Sequence, residues 1–90
     1  MSRTPRPDPA LASAVRSLRE RRGLSLEKLA FRSGVTPGAL TQIELAQVVP
    51  RWDIVRRLAK GLGTSLVDLA ATVETTEALL RAGVEDGPVA

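Results

Sequence analysis

A helix-stopping glycine and a helix-starting threonine stand one residue apart at Gly34-Val35-Thr36, between two short segments of helical apolar period. No other feature constrains the fold as much. Gly34 permits the left-handed backbone that ends a helix sharply. Thr36 caps the first free amides of the next helix, and Pro37 is pre-set for its first position. With only Val35 between them, the two helices must turn through a large angle, and Val35 is left to fill the corner. Leu26, Leu29 and Ala30 face inward on the first of them, capped by Ser25. Ala39, Leu40 and Ile43 face inward on the second, which is expected to end near Ala46.

The rest of the chain has the same grammar. Asp8-Pro9 opens a helix whose stripe is Leu11, Val15 and Leu18, with Ala14 beside it, and Gly23 closes it after Arg21-Arg22. Residues 47–50 read as a loop. A fourth helix carries Trp52, Val55, Leu58, Ala59 and Leu62 on its apolar side, with Arg56, Arg57 and Lys60 opposite, and stops at Gly63. Thr64 or Ser65 caps a fifth, built on Leu66, Leu69, Ala70 and Val73, with Asp68 spaced to complete a capping box with Ser65. A further helical stretch over 76–82 offers Leu79 and Leu80. No period-two segment is long enough for a strand. The expectation is an all-α domain over 8–73, preceded by a flexible basic arm (1–7) and followed by a C-terminal extension (74–90) with a frayed end.

Ninety residues make one domain with one modest core. Phe31 and Trp52 are the only aromatics, so the core must be aliphatic, which suits packed helices. Histidine and cysteine are both absent, and with them go disulfides, thiolate nucleophiles, imidazole bases and the usual zinc ligands. The carboxylates do not cluster as an acid/base pair. These absences argue against an enzyme, and no cofactor or metal is expected. No apolar run approaches the length of a membrane span and the N-terminus lacks a signal-peptide core, so the expected address is cytoplasmic. Charge is divided along the chain. Residues 1–63 hold 12 Lys/Arg against 5 Asp/Glu, whereas residues 64–90 hold 1 against 5; +7 and −4 give the net +3. A basic body with an acidic tail fits a polyanion-binding surface and a segment kept off it.

The corner at Gly34-Val35-Thr36 is a helix-turn-helix arrangement, in which the second helix can point its positive N-terminal end into a major groove. Residues 11–73 resemble the Cro/C1-type (XRE) helix-turn-helix family. The resemblance rests on Val15-Arg16-Ser17-Leu18-Arg19, Arg22-Gly23-Leu24-Ser25, Leu29-Ala30, Gly34-Val35-Thr36, Ile43-Glu44, Pro50 and Leu58-Ala59-Lys60-Gly61-Leu62-Gly63, in the family's order and spacing. It implies a compact five-helix, lambda-repressor-like bundle whose third helix is the recognition helix, and a buried pair between Arg19 and Glu44. It further implies sequence-specific binding of double-stranded DNA by a transcriptional regulator, a repressor before an activator.

Carried over position by position, the base-contact candidates are Pro37, Gly38, Thr41 and Gln42. The phosphate-contact candidates are Lys28, Arg32, Thr36, Gln47, Arg51 and the backbone at Trp52. Gln42 suits adenine, and Thr41 suits either a base edge or a thymine methyl. Arg51 suits a phosphate or a minor-groove contact. The Trp52 ring is expected to anchor the core or its rim. Three departures from the family stand out: Leu26 replaces a polar residue, Pro37-Gly38-Ala39 replaces polar readers, and Ala46 replaces a glycine beside Leu45. Leu26, Leu45, Val48 and Val49 therefore suggest an apolar surface near the DNA side. From it follows an alternative expectation, that the fold serves as a protein-interaction module contacting a partner through Leu45, Val48 and Val49. A homodimer is expected through residues 66–80, with Leu66, Leu69, Val73 and Leu80 as contacts.

Overall fold

The computed structural model describes residues 6–83, and the described residues form five helices with no strand: α1 (Pro9–Arg21), α2 (Leu26–Ser33), α3 (Pro37–Glu44), α4 (Trp52–Gly61) and α5 (Leu66–Arg81). Most of the basic arm, residues 1–5, and the frayed end assigned to residues 84–90 lie outside them. The caps read from the sequence are in place. Asp8 accepts from the amides of Ala10 and Leu11, Ser25 from Lys28, Thr36 from Ala39 and Ser65 from Asp68. Each satisfies donors that the first helical turn leaves without partners. Ser65, rather than Thr64, is the cap of α5.

One core serves all five helices. Val15, Leu18, Leu29, Ala30, Leu40, Ile43, Leu58, Ala59, Leu62 and Leu69 are buried together, as the helical periods required. Within it α1 packs on α5 and α3, and α2 packs on α3 and α4. The α2–α4 approach is closest at Gly61, where an added Cβ would collide with Ser33 Oγ and stand 3.2 Å from Leu29 Cδ1. Ser33 is itself buried there, its hydroxyl oxygen without a hydrogen-bond partner.

Four expectations need correcting. The extension is not a separate helix: α5 runs unbroken to Arg81. No glycine or proline interrupts it, and Thr72 and Thr76 return their hydroxyls to the carbonyls of Asp68 and Thr72, which holds both within the helix. Leu69 is 1% exposed and belongs to the core, so it is not available as a dimer contact. Trp52 is no anchor: it is 65% exposed, because it opens α4 and the packing that covers this helix begins at Ile54 and Val55. The proposed apolar surface is also smaller than expected, since Leu26 and Val48 pack against the core while Leu45 and Val49 stay exposed.

Candidate nucleic-acid interface

At the corner between α2 and α3, Gly34 adopts φ +71°, and the amides of Gly34 and Val35 close back onto the carbonyls of Phe31 and Ala30. This bond pair satisfies carbonyls that the end of α2 leaves open. Val35 packs against the core, as the corner demanded. Thr36 Oγ1 accepts the Ala39 amide at 3.1 Å, which leaves the hydroxyl proton of this exposed residue free to donate to a phosphate.

The far end of α3 is fixed differently. The Arg19 guanidinium, on α1, donates to both carboxylate oxygens of Glu44, Nε to Oε2 at 2.8 Å and Nη2 to Oε1 at 3.0 Å. Its Nη1 donates to the Leu24 carbonyl at 2.9 Å. Three charge-assisted bonds thus tie α3 to α1 and to the turn before α2. The side chains are 14% and 6% exposed, so the expected buried pair is present. The hydrogen bond that Arg19 donates to Glu44 raises the Arg19 pKa above its already high ordinary value, against the opposing effect of burial. A raised basic group keeps its stabilising charge below its unfolded-state pKa, so Arg19 stays charged at any pH at which a protein is handled.

With both ends held, α3 turns one face outward. Leu40 and Ile43 are buried, whereas Gly38, Thr41, Gln42 and Leu45 follow at i, i+3, i+4 and i+7 along the other side. Gly38 and Gln42 are exposed, Thr41 is half-buried, and Leu45 is 57% exposed. Thr41 Oγ1 donates to the Pro37 carbonyl at 2.9 Å. Pro37 is exposed at the tip of the helix. Leu45, expected as part of an apolar patch, is the C-cap of α3 and lies at i+7 from Gly38, on the same outward side.

Lys28, Arg32, Gln47 and Arg51 are all exposed, as phosphate contacts must be, but the Arg32 guanidinium lies near Gly63, in the turn after α4. Arg51 stands at the N-cap position of α4 without capping it, and makes an open ion pair with Asp53 at 3.2 Å, too solvated to hold it away from a stronger anion. Arg57 reaches across to the Gly34 carbonyl at 3.4 Å. Phe31, outside the inward set expected for this helix, is 87% exposed on α2. The four dimer candidates do not form one surface. Leu66 and Val73 line an open apolar groove with Val55 and Ala70, whereas Leu80 lies beside Pro9, Ala12 and Leu45.

A family model described as "Helix-turn-helix domain" matches residues 10–73, most of the chain. The chain belongs to the Cro/C1-type helix-turn-helix family. Among solved structures it is similar to the clp gene regulator ClgR from Corynebacterium glutamicum, at 30% identity and a TM-score of 0.80, over 88% of this chain and 84% of that one. It is also similar to the restriction-modification controller protein C.AhdI from Aeromonas hydrophila, at 30% identity and a TM-score of 0.65, over 68% of this chain and 92% of that one. The controller protein C.Esp1396I, at 18% identity, shares the fold with a TM-score of 0.74 over 78% of this chain and 91% of that one. No curated protein sequence matches the chain. Among the described residues, no helix of this helix-turn-helix protein is long and apolar enough to cross a membrane.

Proposed function

We propose that this protein is a sequence-specific double-stranded DNA-binding regulator of transcription that lays α3 in the major groove. The observation that carries the reading is the outward face of α3, fixed at one end by the Thr36 cap and at the other by the Arg19–Glu44 pair. Its similarity to a clp gene regulator and to a restriction-modification controller supports the same function. Gln42 and Thr41 are the base readers, with Pro37 and Gly38 allowing close approach. Lys28, Arg32, Gln47, Arg51, the Thr36 hydroxyl and the Trp52 amide contact phosphates. Occupying a promoter obstructs polymerase without further contacts, so repression is the output we assign. The alternative, a protein-docking surface at Leu45, Val48 and Val49, is weakened because Val48 packs inward and Leu45 lies on the reading face.

A homodimer belongs to the same proposal, since two recognition helices then read half-sites about one helical turn apart. Leu66 and Val73 are the contacts we assign, and the acidic Asp68, Glu74 and Glu77 keep α5 off the DNA. The test is selection from random double-stranded DNA by the purified protein at two salt concentrations. An enriched palindrome, with log affinity falling against log salt by about 0.9 per phosphate neutralised, is the expected result. Binding that enriches no motif would leave only a basic surface. A monomer in sedimentation at micromolar concentration, free and on DNA, would remove the dimer.

A further inference from the structure

The polar groups that α3 can present to bases are few, and their arrangement selects among base pairs. Guanine is read by paired donors on Arg or Lys, and α3 contains neither over Pro37–Glu44. Cytosine is read by a carboxylate, and the only one on α3, Glu44, has both oxygens held by Arg19. Pro37 and Gly38 carry no side-chain donor or acceptor. A hydroxyl has one proton to donate, and that of Thr41 is engaged by the Pro37 carbonyl. Thr41 therefore meets a base edge with its methyl group and an accepting lone pair. Gln42 alone offers a donor and an acceptor together, and the next residue along the same face, Leu45, is purely apolar.

We infer that the positions under α3 in the operator are A·T pairs, read by the Gln42 amide on one adenine and by apolar contact of Thr41 and Leu45 with thymine C5-methyl groups. This rests on the DNA-binding reading and narrows it to a class of half-site. Paired hydrogen bonds from an amide suit adenine N6 and N7, and the thymine methyl is the apolar landmark of the major groove. The leucine completes this face: with no polar atom to desolvate, it gains from a methyl and gains nothing from a bare guanine or cytosine edge.

The test begins from the motif enriched by the full chain and replaces its thymines, one at a time, with deoxyuridine, which removes only the C5-methyl. At two thymines per half-site affinity should fall about fourfold, the equivalent of ~0.8 kcal/mol for a buried methyl. Leu45→Ala should abolish the difference between thymine and uracil at one of these positions, and Thr41→Ser at the other. Circular dichroism on both variants checks that they fold. An enriched half-site with G·C pairs at its core, or equal binding of every uracil duplex, would overturn the inference while leaving DNA binding intact. Failure to enrich any duplex would overturn both.

Discussion

The two ends of α3 reach the same backbone geometry by different chemistry. Before it, α2 ends on Gly34 at φ +71°, with the Gly34 and Val35 amides bonded to Phe31 and Ala30. After it, α3 ends through the same pair of bonds, from Ala46 to Ile43 and from Gln47 to Gln42, but the left-handed residue is Ala46 at φ +55°. Glycine takes that conformation freely, whereas alanine is pushed from it by about 1–2 kcal/mol of contact between Cβ and carbonyl oxygen. The N-terminal end of α3 is therefore held by local preference. The C-terminal end turns against local preference two residues after Glu44, whose pairing with Arg19 ties this end of α3 to α1. A recognition helix is useful only if neither end moves, and here each end has its own guarantor.

The strongest way to break this contrast is Glu44→Ala. It takes the paired carboxylate from Arg19, whose side chain is 14% exposed in the intact pair, and chemical denaturation should show a loss of about 3–5 kcal/mol. A loss below about 1 kcal/mol would mean that the pair does not secure the C-terminal end. Gly34→Ala comes next, at about 1–2 kcal/mol. A Cβ there meets only Arg57 Nη1, at 3.9 Å, so the cost is conformational rather than steric. Thr36→Ala removes the cap and should cost about 1 kcal/mol, whereas Thr36→Ser should restore most of it. The smallest effect sharpens the contrast from the other side. Ala46→Gly should stabilise the protein by up to about 1 kcal/mol, seen as a raised denaturation midpoint, and a loss there would show that the turn is not strained.

Much of this was legible residue by residue. Asp8, Ser25, Thr36 and Ser65 act within three residues of themselves, so their capping roles follow from local chemistry; three are found where the sequence put them, and Ser65 is one of the two caps it offered for α5. The stripes through Val15, Leu29, Leu40 and Leu58 were equally legible, because a helical period that faces a core has one way to be buried. The candidate site was legible as a face but not as a chemistry. That Gln42 is exposed follows from its position. That the Thr41 proton returns to Pro37 depends on a rotamer, which period does not specify. Trp52 and Leu69, both on helices, differ from expectation for a common reason. Apolar period says which side of a helix is apolar, and only the neighbouring helices decide how far along that side cover extends.

The sequence by itself determined the caps and stops of the helices and the sharp corner at Gly34-Val35-Thr36, because these signals are encoded within a few residues of one another; it did not show that residues 76–82 continue α5. Resemblance to a family then supplied the partnership of Arg19 with Glu44. Tertiary structure decided what those pieces can do: the bidentate geometry of that pair, the left-handed turn at Ala46, the burial of Leu69, and how far Leu45 is exposed. Each depends on residues brought together from distant parts of the chain, and their free energies exist only once the core has closed around them.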